Sequence, residues 1–145
     1  PQTDVLEKKI IHATSRYSEQ LKLRPDENIL RLKRLRYGDS IPMLLEVRYI
    51  NLHYCPDIDK KDLTGSLYDI YEKYYGVRLA RASQNLKIVF LNDRDAKFLK
   101  CDSGAPAFYL TGVTYSEAGE PIENEESLYR GDEYEFFVEV GQGMD

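Results

Sequence analysis

The chain has 145 residues, of which 42% are hydrophobic and 31% charged, a composition that suffices to bury the core of one domain. Its formal net charge of −5 argues against binding of this segment to the phosphate backbone of nucleic acids, since that binding requires clustered lysines and arginines. Every uncharged run is far shorter than the roughly 20 residues of a membrane-spanning helix, so no such helix is predicted.

The cysteines and histidines predict neither a metal site nor a cofactor. Cys55 and Cys101 are too few for a disulfide framework and too far apart for a C-x-x-C motif, which indicates the reduced thiols of a cytoplasmic protein. His12 and His53 are isolated from each other and from any cysteine pair. The chain begins at Pro1 without an initiator methionine or a signal-peptide pattern, so we expect an upstream segment to be missing.

The first part of the chain predicts a strand, a short helix and a β-hairpin. Residues 5–13 are interpreted as the strand and residues 15–23 as the helix. Two strand-like runs follow at residues 28–37 and 41–50. A Gly-Asp-Ser cluster between these runs predicts a hairpin turn.

The second part predicts two helices and four strands. Ser66 and Gly76 are typical N-cap and C-cap residues, so a helix is predicted between them. Asn92 is another N-cap residue and begins a short helix that ends at Lys100. The predicted strands are residues 77–90, 107–115, 121–129 and 134–140. The sum is an α+β domain with a mostly antiparallel sheet and helices packed on it.

The segment from Leu30 to Arg36 carries the most informative pattern. Strand alternation places Arg34 and Arg36 on the same face as Leu30 and Leu32. Burial of a guanidinium group beside apolar residues is costly unless the group is paired, which predicts an internal partner or an anionic ligand. The alternative is a strand end at which both arginines extend into water.

The position of Glu46 depends on the register of the predicted hairpin. A three-residue turn sets Arg34 opposite Leu44 and Leu32 opposite Glu46, all on one side of the sheet. A two-residue turn sends Glu46 to the other face. Both registers are compatible with the sequence.

Acidic side chains also line the predicted strand at residues 121–129. Alternation places Glu123, Glu125 and Tyr129 on one face and Glu126 on the other. A solvated strand with scattered charges is the alternative, and acid–base catalysis by these carboxylates is not favoured. Nucleotide-binding glycine motifs are absent from the sequence.

Three ordered stretches resemble one family, the UTRA effector-binding domains of GntR-type bacterial transcription regulators of the HutC subfamily. Their order and spacing make the resemblance specific over residues 21–138. The stretches are R-L-R-Y-G-D-S-I-P at 34–42 with Glu46, S-L-Y at 66–68 with Y-G-V at 75–77, and G-E-P-I-E at 119–123 with Y-R-G-D at 129–132 and Phe136.

The resemblance implies a chorismate-lyase-like fold and a single effector-binding domain over residues 1–145. It also implies a homodimer, and an upstream winged helix-turn-helix that alone binds operator DNA. The effector is then a small anionic molecule such as a phosphorylated amino sugar. The residues implied for the anionic group are Arg34, Arg36, Ser66 and Tyr68, and those for hydroxyl or amino groups are Glu46, Glu123 and Tyr129.

Two positions depart from the family pattern. Glu133 stands where a basic residue is common, and Asn124 where an aromatic residue is common. An enzyme related to chorismate lyase is the alternative on the same fold, because fold alone does not separate the two functions. A dimerisation module without a working pocket is a third interpretation. The S-L-Y and Y-R-G-D motifs favour a regulator, specifically a repressor, that is not an enzyme.

Overall fold

The computed structural model describes residues 2–141, which form a six-stranded antiparallel sheet with three α-helices. The strands are β1 (Thr3–His12), β2 (Asn28–Gly38), β3 (Ile41–Asn51), β4 (Leu79–Phe90), β5 (Pro106–Ser116) and β6 (Pro121–Arg130). The helices are α1 (Ser15–Gln20), α2 (Leu67–Tyr75) and α3 (Asp93–Leu99), with a short 3-10 turn (Ile58–Lys60) before α2. The strand order is β1-β2-β3-β6-β5-β4. The predicted α+β fold is confirmed.

Within residues 2–141, no helix combines the length and the apolar character that a membrane crossing requires.

Different helices cover the two faces of the sheet. On one side, called here the α2 face, Leu32 and Ile50 pack with Tyr71 of α2 in a buried apolar cluster. On the opposite side, the α1/α3 face, Leu35 packs with Leu99 of α3, and a further cluster forms beneath α1. Since side chains alternate along a strand, these contacts assign the other positions of β2, β3 and β6 to one face or the other.

Helix α2 begins and ends at the predicted residues. The Ser66 hydroxyl accepts a hydrogen bond from the Asp69 backbone N–H at 3.3 Å, which satisfies a free donor of the first turn. Gly76 adopts a left-handed conformation with φ of 62°, and its N–H donates to the Glu72 carbonyl. Both predicted caps are confirmed, and they fix the point at which the helix starts above the sheet.

The β2–β3 hairpin turns through only two residues. Asp39 and Ser40 have φ values of 51° and 69°, as a two-residue type I′ turn requires. Gly38 accordingly pairs with Ile41. The three-residue turn considered from the sequence is therefore wrong.

A β-bulge beside the turn changes the register again. One additional residue of β3, Met43, separates the successive pairs Tyr37–Pro42 and Arg36–Leu44. Beyond the bulge, Arg34 lies directly opposite Glu46. The expectation that a two-residue turn sends Glu46 to the other face is also wrong, because the extra residue reverses the alternation. Glu46 shares the α2 face with the arginines.

The prediction of a strand at residues 134–140 is wrong, since these residues have no regular secondary structure. Strand β6 already has β3 and β5 as neighbours, so it offers no free edge to a following antiparallel strand. The chain turns instead, with the Tyr134 N–H donating to the Arg130 carbonyl at 3.1 Å. Phe136 then packs edge-on against the Tyr129 ring, with centroids 5.3 Å apart.

Candidate functional site

A cluster of charged side chains is buried on the α2 face, where β2, β3 and β6 lie side by side. Arg34, Glu46, Arg48 and Glu123 have side chains that are between 0% and 10% exposed. Burial of charges is tolerated only when they are paired and hydrogen-bonded. We call this cluster, with the adjacent Glu125, the ionic network.

All three nitrogen atoms of the Arg34 guanidinium group contact oxygen atoms of the protein. Its Nε and Nη2 atoms lie 2.7 Å and 2.5 Å from Glu46 Oε1. Its Nη1 atom donates to the carbonyls of Leu63 and Gly65 at 2.9 Å and 2.8 Å. Arg34 therefore fixes the loop that leads into Ser66 and α2. The prediction of an internal partner is confirmed for this residue, and the prediction that it extends into water is wrong.

Arg36 lies two residues further along the same face and is far less constrained. Its side chain is 38% exposed, and Nη1 lies 3.7 Å from Glu46 Oε2, beyond hydrogen-bond distance. Arg36 is thus the arginine of the pair that keeps donor groups directed to solvent.

Arg48 joins the carboxylates of β3 and β6, and sequence reasoning missed it. Its guanidinium contacts Glu123, lies 3.3 Å from Glu46 Oε2 and lies 3.5 Å from Glu125 Oε1. Its guanidinium carbon also lies 5.8 Å from the centre of the Tyr68 ring. The available signal was the Glu46-x-Arg48 spacing, which places both side chains on one face of a strand.

The network shifts the pKa values of Glu46 and Glu125 in opposite directions. Burial by itself raises the pKa of Glu46, but Arg48 and Arg34 outweigh it and hold that pKa below its ordinary value. Burial raises the pKa of Glu125, and the opposing effects of Arg48 and of a hydrogen bond with the Ser127 side chain do not offset this. Tyr71 donates to Glu123 Oε1 at 2.6 Å, and burial beside that carboxylate raises the Tyr71 pKa.

Ser66, Tyr68 and Tyr129 lie at the margin of the network. Ser66 is exposed at the start of α2, one residue after the Gly65 carbonyl that Arg34 binds. Tyr68 is 48% exposed beside Arg48. Tyr129 lies further along β6, against Tyr134 with ring centroids 4.7 Å apart. Arg34, Arg36, Glu46 and Glu123 thus belong to one connected cluster, while these three residues border it.

Comparison with known proteins identifies the family. The family model described as the UTRA domain matches residues 1–135. The chain belongs to the UTRA domain family. The predicted regulator domain is confirmed at this level, because the relatives of this UTRA domain are named as transcriptional repressors or regulators and not as enzymes.

Three relatives illustrate the similarity in sequence. The HTH-type transcriptional repressor NagR of Bacillus subtilis is 27% identical over 136 residues, covering 94% of this chain and 56% of NagR. The regulator YurK of the same organism is 30% identical over 123 residues, covering 84% and 51%. A probable fructoselysine utilization operon transcriptional repressor of Escherichia coli O157:H7 is 25% identical, covering 87% and 52%. The UTRA chain therefore spans about half the length of these relatives.

Solved structures have the same fold. The C-terminal domain of YurK superposes with a TM-score of 0.84 at 27% identity, covering 94% of each chain. A GntR-family regulator from Enterococcus faecalis gives a TM-score of 0.86 at 28% identity, covering 95% of this chain and 99% of the other. PhnF of Mycobacterium smegmatis, at 23% identity, agrees in fold with a TM-score of 0.91, over 97% of this chain and 63% of PhnF.

The departure at Asn124 has a structural explanation in this UTRA domain. Asn124 faces away from the ionic network and donates to Gln20 of α1 at 2.5 Å. Glu126, on the same side of β6, lies 2.5 Å from Arg16 and accepts from Tyr17 at 2.8 Å. Asn124 and Glu126 thus attach α1 to β6 by hydrogen bonds and an ion pair. Nothing in the structure explains Glu133, which is exposed.

The α1/α3 face of the UTRA domain carries a separate open groove over Val47. Arg31 and Arg94 lie along its sides, and burial together with Arg94 lowers the pKa of Lys33. Arg31 is already paired with Glu7 at 2.6 Å. The groove shares no lining residue with the ionic network, so the two features are independent.

Proposed function

We propose that this UTRA domain is the effector-sensing half of a GntR-type transcriptional repressor of the HutC subfamily and binds a small anionic effector on its α2 face. The observation that carries the proposal is the buried ionic network at the start of α2, bordered by the partly exposed Arg36. Burying several charges costs more than burying apolar side chains of the same size. A binding role explains why they lie there.

The anionic end of the effector is assigned to Arg36, Ser66 and Tyr68. Ser66 precedes the nine-residue helix α2, whose first N–H groups and positive dipole end attract an anion. Arg36 adds a partly exposed guanidinium, which suits a phosphate or a carboxylate. Arg34, the fourth residue of the predicted set, shapes this end through its hold on Gly65.

The polar end of the effector is assigned to the Glu46, Glu123 and Tyr129 side of the network, where carboxylates face hydroxyl or amino groups. Two relatives are named for systems that use sugar derivatives, fructoselysine and mannosyl-D-glycerate. These names support a sugar-derived effector, and a phosphorylated amino sugar combines both required ends.

Regulation then follows as a shift between dimer arrangements. An effector that binds one arrangement better changes the spacing of two upstream winged helix-turn-helix domains against their operator half-sites. The edge strand β4 supports dimerisation through this domain, because residues 80–88 are exposed on both faces and β5 is the single neighbour of β4 among the described strands.

The effector site is tested by thermal unfolding of the chain with glucosamine 6-phosphate, fructose 6-phosphate, urocanate and unphosphorylated glucosamine. We expect at least one anionic compound to raise the Tm and glucosamine to have no effect, since a ligand stabilises only the folded state that binds it. Arg36→Ala should abolish the shift. Arg78→Ala is the matched control, because Arg78 is exposed and pairs with Glu72 at 3.0 Å, away from the ionic network.

Arg36 is a better probe than Arg34, since loss of Arg34 leaves the buried Glu46 carboxylate without its closest partner. The proposal is overturned if every anionic compound leaves the Tm unchanged, or if Arg36→Ala retains the full shift.

A further inference from the structure

The groove over Val47 lies on the α1/α3 face, on the opposite side of the sheet from the ionic network. Val47 of β3 and Leu128 of β6 contribute apolar surface to it. Arg31 and Lys33 of β2 and Arg94 of α3 also line the groove. Three cationic side chains therefore border one open, partly apolar concavity.

Two of these cationic side chains have no close carboxylate partner. The Arg94 side chain is 75% exposed, and its Nε lies 3.9 Å from Asp95 Oδ1, beyond hydrogen-bond distance. Within residues 2–141, Lys33 forms no salt bridge, and its Nζ lies 5.0 Å from the centre of the Phe98 ring. Glu126, a second carboxylate that lines the groove, is ion-paired with α1. The groove thus offers donor groups to an anion from solvent.

The Lys33 amine loses its proton more readily than an ordinary lysine. Burial lowers the pKa of Lys33, and the positive charges of Arg94 and Arg31 lower it further. Asp95 and Glu7 act in the opposite direction but do not cancel the shift. Because the neutral amine is the nucleophilic form of lysine, Lys33 combines reactivity with a neighbouring place for an anion.

Other lysines of the chain lie in different surroundings. Lys22 is exposed in the turn after α1, and Lys60 lies 3.3 Å from Asp57 Oδ1. Among the lysines of residues 2–141, Lys33 alone lines the groove over Val47. A reagent that binds in this groove is therefore expected to select Lys33.

We propose that the groove over Val47 binds an acyl phosphate and that Lys33 accepts its acyl group. Arg94 holds the phosphate by charge-assisted hydrogen bonds, and the acyl group lies over the apolar surface beside the Lys33 amine. This modification site goes beyond the proposed function and does not depend on it, because the groove shares no lining residue with the ionic network.

The transfer is a simple substitution at the acyl carbon. The neutral Lys33 amine donates its lone pair to the carbonyl carbon, and a C–N bond forms. The C–O bond between the acyl carbon and the phosphate group breaks, and its electron pair leaves on inorganic phosphate. The proton lost by the nitrogen passes to the released phosphate. The products are an amide at Lys33 and inorganic phosphate, with no oxidant or reductant involved.

The test is peptide mapping by mass spectrometry after the chain has reacted with acetyl phosphate. A parallel reaction with acetic anhydride delivers the same acetyl group without a phosphate. We expect Lys33 to be acetylated faster than Lys22 by about tenfold with acetyl phosphate, the size of one charge-assisted hydrogen bond, and by about twofold with acetic anhydride.

Arg94→Gln should slow the reaction of Lys33 with acetyl phosphate about fivefold and leave its reaction with acetic anhydride within about twofold. Arg78→Gln is the matched control, since Arg78 is exposed and lies outside the groove, and it should change neither rate. Circular dichroism verifies that both variants are folded.

Three results would overturn the inference. The first is equal reaction of Lys33 and Lys22 with acetyl phosphate, and the second is an unchanged rate at Lys33 in Arg94→Gln. The third is an equal preference for Lys33 with both reagents, because amine reactivity alone would then account for it. None of these results affects the proposed function, which concerns the opposite face of the sheet.

Discussion

The centre of the sheet and its β4 edge are stabilised in opposite ways. Under α2, the central strands β2, β3 and β6 bury charged side chains such as Arg34 and Glu123, both at most 1% exposed. At the edge, β4 leaves apolar side chains in water, with Leu86 and Ile88 43% and 56% exposed. A domain selected only for stability would exchange these placements, because water favours charges and the interior favours apolar groups.

The proposed function assigns two roles to this contrast. In that proposal the buried charges act on an effector, and the exposed apolar groups of the edge strand are covered by a partner. We therefore expect substitutions under α2 to change stability and effector binding, and substitutions in β4 to change association.

The largest effect is expected from Arg48→Met. This change removes the guanidinium that Glu46, Glu123 and Glu125 share and leaves their negative charges buried together. Loss of one partner of a buried pair costs about 3 to 5 kcal/mol of unfolding free energy. Urea denaturation measures it, and Arg78→Met at an exposed pair should cost less than about 1 kcal/mol. Similar losses in the two variants would contradict the account.

An intermediate effect, with a distinct pH dependence, is expected at Glu125. Its pKa is raised by burial, so the folded protein holds this proton more tightly than the unfolded chain and loses stability as pH rises above the ordinary value of 4.5. Glu125→Gln should therefore be more stable than the wild type at pH 7, with the difference vanishing below about pH 4.

Glu46→Gln must behave in the opposite sense. The Glu46 pKa is lowered, so its charge contributes stability that is present above 4.5 and lost as pH falls through the lowered pKa. The variant should be less stable than the wild type at pH 7 and approach it in acid. Urea denaturation from pH 3 to pH 7 measures both, and pH-dependent differences of the same sign would contradict the assigned states.

The smallest effect on unfolding free energy is expected in β4. At a protein concentration too low for the dimer to form, Leu86→Lys with Ile88→Lys should change it by less than about 0.5 kcal/mol for each site, since both side chains are exposed in the monomer. The same pair should convert a dimer to a monomer in light scattering after gel filtration. Ile10→Lys on the other edge strand, at a side chain 44% exposed, is the control and should leave the dimer intact. A monomeric wild-type chain would contradict the role of β4.

Local signals predicted the elements that position the site. The caps Ser66 and Gly76 define α2 because the groups that satisfy a helix end lie within a few residues of it. Alternation placed Arg34, Glu123 and Glu125 on strand faces, and those faces are confirmed. Strand alternation thus predicted which face of the sheet each of these side chains occupies.

Contacts between distant segments lay beyond such reasoning. Arg34 hydrogen-bonds to the carbonyls of Leu63 and Gly65, which lie 29 and 31 residues further along the sequence. The bulge at Met43 has no sequence signature of its own, yet it decides the face of Glu46. The strand predicted at residues 134–140 does not form because β3 and β5 already pair with both edges of β6. The strand order that shows this cannot be inferred from local sequence.

The location of the effector site is tested most directly by an NMR titration of the 15N-labelled chain with glucosamine 6-phosphate. The largest amide shifts are expected at residues 66–68 at the start of α2 and at residues 123–129 of β6. Shifts confined to the groove around Arg31 and Arg94, or to β4, would contradict this location.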